Sequence, residues 1–139
     1  MKKIFILAVT CLLSACASLG PKFDQPIEPK KDEAVVYFYR PSKMVGKAIS
    51  FTINENEELI TKMPNGGYYR HTTSGGYKDF TPDSKTDKKI SMKLENGKTY
   101  FVRGEIKMGV WVGQPNIEVV DNEQGLSEIK ECKLIENKN

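Results

Sequence analysis

From Asp32 onward the chain alternates short apolar runs with turn residues, and helical periodicity is nearly absent. Ala34 to Tyr39 reads AVVYFY. Both of its alternating sets, Val35/Tyr37/Tyr39 and Val36/Phe38, are apolar, which predicts a central strand buried on both faces, ended by Arg40-Pro41-Ser42. From Ala48 to Ile53, Ile49, Phe51 and Ile53 alternate with Ser50 and Thr52, and polar Asn54 to Glu58 leads into Leu59 to Met63. That pattern predicts a hairpin with one wet face. Asn65-Gly66-Gly67 and Ser74-Gly75-Gly76 bracket a strand at 68–72 and introduce another at 77–81, followed by a polar loop at 82–88. Ile90 to Leu94 alternates again, Asn96-Gly97 supplies a tight turn, and Thr99 to Lys107 returns as a long strand. Val110-Trp111-Val112 and Ile117 to Val120 predict two short strands. Leu126 to Ile135 fits either an edge strand or a short helix, since Leu126, Ile129 and Cys132 recur at helical spacing. The expectation is an all-β domain, a small antiparallel β-sandwich over residues 32–135 with a polar tail at 136–139.

The N-terminus follows a different pattern. Met1-Lys2-Lys3 precedes the apolar run Ile4-Phe5-Ile6-Leu7-Ala8-Val9, and the segment closes in Leu12-Leu13-Ser14-Ala15-Cys16. A basic region, an apolar core and a small-residue cut site form a signal peptide over residues 1–15. The core is about ten residues, half of what a bilayer-spanning helix needs. Leu13-Ser14-Ala15-Cys16 looks like the lipobox of bacterial lipoproteins. The thiol of Cys16 is the nucleophile that forms a thioether to diacylglycerol, and small Ser14 and Ala15 admit the peptidase. Each buried methylene contributes about 0.8 kcal/mol, so two or three acyl chains anchor durably where one binds marginally. The expected membrane partner is therefore the bilayer, held through acylated Cys16. Ala17 stands where an aspartate would favour inner-membrane retention, which directs the chain to the outer membrane, facing the periplasm or the cell surface. Residues 16–31 carry Pro21, Pro26 and Pro29 and read as an extended tether reaching roughly 45 Å at the polyproline rise, unless Phe23 and Ile27 dock on the domain.

Processing also alters charge and cysteine chemistry. Removing Lys2 and Lys3 takes the net charge from +3 to +1, and export leaves no nucleic acid to bind. Of three cysteines, Cys11 is discarded and Cys16 is blocked, so Cys132 alone keeps a thiol. The mature chain has no intramolecular disulfide, and its stability rests on an apolar core. Cys132 reads as a small half-buried apolar residue, with an intermolecular disulfide as the rarer alternative.

Several blocks together carry a family resemblance: Ala34-Val35-Val36-Tyr37-Phe38-Tyr39-Arg40-Pro41, the Ile53-Asn54 hairpin, Asn65-Gly66-Gly67-Tyr68, Ser74-Gly75-Gly76, and Leu94-Glu95-Asn96-Gly97-Lys98-Thr99-Tyr100-Phe101-Val102-Arg103. Over residues 34–130 the chain resembles the domain-of-unknown-function family numbered twenty-eight forty-six. That resemblance implies a compact β-sandwich in a small proteobacterial lipoprotein, with no reaction and no catalytic residues to carry over. Members tend to have proline where Ser74 precedes glycine.

Candidate chemistry is sparse. His71, the single histidine, lies in the Tyr68-Tyr69-Arg70-His71 strand with no cue pairing it to a nucleophile, so no catalytic residue is assigned. One histidine and one late cysteine make no zinc site, and the glycine pairs sit at strand ends as turns, not phosphate cradles; neither metal nor cofactor is expected. Glu55, Glu57, Glu58, Asp121 and Glu123 fall in predicted turns and read as solvated. Lys85, Lys88 and Lys89 could face lipid phosphates or peptidoglycan carboxylates but read first as a wet loop. Candidate partner contacts are Trp111, which lies between glycines but reads first as a core plug, and Tyr77. The expectation is a non-enzymatic envelope protein that binds an envelope protein or peptidoglycan. Its rivals are a periplasmic inhibitor of a cell-wall-lytic enzyme, plugging a cleft with Ser74-Gly75-Gly76-Tyr77, and a small hydrolase built on a pocket joining His71 to a serine or carboxylate.

Overall fold

A computed structural model describes residues 19–83 and 88–136. The expected signal peptide, Cys16, part of the polar loop and most of the expected polar tail therefore lie outside the described residues. Ten strands and one helix follow in chain order: β1 (Leu19–Lys22), β2 (Ala34–Tyr39), β3 (Phe51–Glu55), β4 (Glu58–Met63), β5 (Gly67–Thr73), β6 (Gly76–Pro82), β7 (Ile90–Leu94), β8 (Thr99–Met108), β9 (Gly113–Val120), α1 (Asn122–Ile129) and β10 (Lys133–Ile135).

The strands form a sandwich, one sheet ordered β1-β10-β5-β2-β8-β9 and the other β4-β3-β6-β7. Most pairs are antiparallel. β2–β8 and β10–β5 are parallel, so the larger sheet is mixed where local hairpin logic predicts antiparallel strands throughout. The departure arises because β2 is flanked by β5 and β8, and distant segments choose their direction by which apolar faces they bury.

β2 is buried along its whole length, as its double apolar pattern predicts. Ala34, Val36 and Phe38 face the core between the sheets, with Phe51, Ile53, Met63, Phe80 and Leu94. Val35, Tyr37 and Tyr39 face the other way, onto Phe23, Phe101, Ile129 and Cys132. This second core exists because α1 and the N-terminal segment cover the outer face of the large sheet.

That covering corrects the tether. Residues 19–23 do not hang free: Leu19 and Lys22 pair with Ile135 and Lys133, and an irregularity between them accommodates Pro21, which has no N–H to donate. An edge strand tolerates such a gap. Phe23 is buried, its N–H donates to the Cys132 carbonyl (3.0 Å), and its ring stands edge-on to Tyr37 and Tyr68 at 5.5 and 5.4 Å. The Ile27 N–H donates to the Tyr37 hydroxyl at 2.9 Å. Burial of one aromatic ring outweighs the prolines' preference for a free extended chain.

The C-terminal segment holds the short helix and also a strand, which is not the edge strand expected. Asp121 caps α1 by accepting from the Gln124 N–H (2.8 Å), the helix ends at Ile129, and β10 follows, interior to the sheet because β1 covers it. Cys132 is fully buried, and that burial pushes its thiol up to about 12. Val110-Trp111-Val112 is not a strand. It is the tip of the β8–β9 hairpin, closed by the Gly109 N–H donating to the Val112 carbonyl at 2.9 Å. The two-residue turn between β3 and β4 falls on Asn56 and Glu57, both at positive φ, which leaves Glu55 as the last residue of β3.

Candidate functional site

Two side chains that the sequence singles out for partner contact are exposed, at opposite ends of the fold. Trp111 is 92% exposed at the hairpin tip, which removes the core-plug role. Tyr77 is 78% exposed at the start of β6, with the Lys93 ammonium 5.8 Å from its ring centroid. β8 runs parallel to β2 toward the tip, whereas Gly76 pairs with Leu94 at the far end of the smaller sheet, so the two aromatics do not share a surface. The Ser74-Gly75-Gly76 turn is short and tied down, the Gly75 N–H donating to Asn96 Oδ1 at 2.7 Å.

His71 and Glu55 come together across the sandwich. β5 brings His71 from the larger sheet and β3 brings Glu55 from the smaller, with Nε2 and Oε2 3.3 Å apart. A carboxylate can only accept, so Nε2 carries the proton. Lys78 on β6 approaches the other oxygen at 3.8 Å, and that oxygen is buried without a hydrogen bond. The imidazole sits against Phe38 and Phe80, with ring centroids 6.3 and 6.2 Å away. Burial lowers its pKa, and attraction from Glu55 offsets that only in part. Beside it lies a cleft of about 210 Å³ lined by Glu55, Glu58, Leu59, Ile60, Tyr69 and His71. The lining contains no serine, threonine or cysteine, but it joins His71 to the Glu55 carboxylate, the pairing the hydrolase alternative requires, and it can orient a water or hold a proton. The sequence reading places Glu55 in a solvated turn. The tight Asn56-Glu57 turn instead draws it into the strand, and only tertiary packing supplies its partner.

A second cleft, about 390 Å³, is lined by Lys88, Lys89, Ile90, Asn116 and Ile117. Lys89 lies 3.4 Å from Asp79 and Lys88 3.5 Å from Gln114, so both ammonium groups are engaged by the protein itself. Lys85 lies outside the described residues. Among the described residues no group of three or more His, Cys, Asp or Glu side chains could hold a metal ion, and no helix is long and apolar enough to cross a membrane.

Arg40 is the residue that sequence reading passes over. It is almost wholly buried and donates to three carbonyls, those of Ile49 (2.6 Å), Gly46 (2.8 Å) and Met63 (3.2 Å), with its guanidinium 5.5 Å from the Phe51 ring centroid. Burial lowers its pKa from the usual arginine value. The guanidinium fixes the 41–50 loop beside the hairpin tip. A second network joins α1 to the sheet: Arg103 bonds Glu118 and both oxygens of Glu128, and Glu128 also accepts from Tyr39 and Gln124.

These features define a two-sheet all-β domain with one helix packed on its larger sheet. The chain belongs to the family described as "Protein of unknown function (DUF2846)", whose model matches residues 30–117. It is also similar to a protein of Haemophilus influenzae described as "Uncharacterized protein", 31% identical over 137 residues, covering 93% of this chain and 81% of the relative. No solved structure matches it.

Proposed function

We propose that the chain is a lipoprotein precursor, cut before Cys16 and acylated there, whose β domain has a non-enzymatic binding or structural role at the periplasmic or surface face of the outer membrane. The observation that carries this reading is Leu13-Ser14-Ala15-Cys16 directly after a basic and apolar leader. The fold is compatible with it, since β1 begins at Leu19, three residues beyond Cys16. At roughly 3.3 Å per residue, an acylated Cys16 holds the start of β1 within about 10 Å of the headgroups. This is a far closer attachment than a free proline tether would give.

The non-enzymatic part draws on a cleft lining without serine, threonine or cysteine and on an imidazole packed against Phe38 and Phe80, whereas the His71–Glu55 pair is the feature that favours the hydrolase. Metabolic labelling with a fatty-acid analogue tests the anchor: label is incorporated in the wild type and lost in Cys16→Ser, and label surviving the substitution overturns the reading. Complementation of a deletion by His71→Ala tests the rest. A stable, correctly located variant that fails to complement favours the hydrolase instead.

A further inference from the structure

The described surface has one end where large apolar side chains gather in the open. At the β8–β9 tip Val110 is 89% exposed beside Trp111, and Met108 and Val112 flank them, also exposed. The neighbouring 41–50 loop adds Met44 and Val45, both exposed. The two segments are continuous. Gly46 sits at φ 72° so close to β8 that a Cβ there would lie 2.6 Å from the Cβ of Ile106, while Gly113 lies against Ile106 and Ile49. Nor is the loop loosely held, because Arg40 clamps the Gly46 and Ile49 carbonyls from beneath.

The charge around this patch is net positive. Residues 41–50 and 106–114 contain Lys43, Lys47 and Lys107 and no aspartate or glutamate; the nearby Glu105 is shared between Lys43 (3.4 Å) and Lys107 (3.7 Å). A convex tip of tryptophan, valine and methionine, rimmed by lysines with long apolar stems, matches the interface of an anionic bilayer. There the indole sits at headgroup level and ammonium groups meet phosphates.

We propose that the β8–β9 hairpin tip, with the adjoining Met44-Val45 turn, inserts into the headgroup layer of the anionic membrane to which the chain is anchored. The proposal rests on the lipoprotein reading, because a Cys16 anchor three residues from β1 leaves some face of the domain against lipid. β1 and β9 are the opposite edges of the six-stranded sheet, five strand spacings or about 24 Å apart, and the register sets Leu19 level with Val102, well back from the tip, so anchor and tip lie more than about 24 Å apart. Two attachments that far apart fix the orientation of the domain on the bilayer, whereas a lipid alone would let it swivel.

Trp111 is the single tryptophan, so its fluorescence reports the tip directly. The acylated full chain, reconstituted into phosphatidylethanolamine–phosphatidylglycerol vesicles, should show blue-shifted emission, weak quenching by iodide and severalfold loss of emission with brominated acyl chains. Val110→Asp, at a position too exposed to threaten folding, should return the emission to its value in water while the chain stays on the vesicles. Wild-type protein on neutral phosphatidylcholine should shift less. Solvent-like, iodide-quenched emission from vesicle-bound wild type overturns the proposal, as does shielding that appears only after envelope proteins are added back, which would make the partner a protein. Mass spectrometry of the same sample reads the anchor separately: an unmodified Cys16 refutes the lipoprotein reading, and emission with added vesicles still decides whether the tip enters lipid.

Discussion

Gly125 lies in the middle of α1, where alanine should ordinarily be better by about 1 kcal/mol. The structure predicts the opposite sign. A Cβ at this position would stand 2.3, 2.5 and 2.7 Å from Cγ, Cβ and Cδ1 of Phe101. Phe101 cannot yield easily: its ring is stacked on Tyr37 with centroids 5.4 Å apart and meets Tyr39 edge-on at 6.5 Å, all within the buried outer core. Relief has to come from lifting α1 off the sheet, which also strains the Glu128 bonds to Arg103 and Tyr39. Overpacking of this kind costs about 1 to 3 kcal/mol, and contacts this short with root atoms of a ring place it at the upper end. Against the propensity gain the net loss is about 2 kcal/mol, or roughly 8 °C in midpoint for a domain of this size. Thermal melts of Gly125→Ala beside Ser127→Ala, an exposed site on the same helix, check the reasoning. Ser127→Ala should be neutral or slightly stabilising. A Gly125→Ala midpoint at or above wild type would mean that the helix does not press on Phe101 as described.

Phe38→Ala empties a fully buried site between the sheets, where the ring meets Phe80 edge-on at 5.1 Å, and should cost about 3 to 5 kcal/mol in urea unfolding; a shift within error would misplace the core. Because burial lowers the folded-state pKa of His71 below 6.5, the unfolded chain takes up its proton first, so stability should fall as pH drops from 6.5 toward that lower value and be unaffected above it. His71→Gln should remove this part of the pH dependence, measured as midpoint against pH. Glu128 gives a separate effect: burial raises its pKa, but hydrogen bonds from Gln124 and Arg103 and the Arg103 charge outweigh it, so its contribution holds above the ordinary glutamate range and is lost as pH falls below it. Glu128→Gln should flatten the melting profile in that acidic window. Cys132, buried and with its thiol pushed up to about 12, should resist maleimide under native conditions and react fully in urea; rapid native labelling would contradict its packing beneath α1.

Local patterning determined much of this protein, because a strand's faces are written two residues apart. AVVYFY specified a strand buried on both sides, Ile90 to Leu94 a half-wet one, and the turn residues at Asn65-Gly66-Gly67 and Asn96-Gly97 separated strands that the fold keeps. The same adjacency carries the lipoprotein proposal, since Leu13-Ser14-Ala15-Cys16 would be read as a contiguous peptide. What only the tertiary structure decided involves partners far apart in the chain. Phe23 leaves a proline-rich segment to fill a gap between Tyr37 and Tyr68, Glu55 finds His71 on the facing sheet, and Arg40 meets carbonyls from three separate positions. Trp111 shows the limit in the other direction. An apolar triplet reads alike as a strand or as an exposed tip, and only the register of β8 on β9, paired as far as Met108 with Gly113, left those three residues beyond the last rung of the ladder and in solvent.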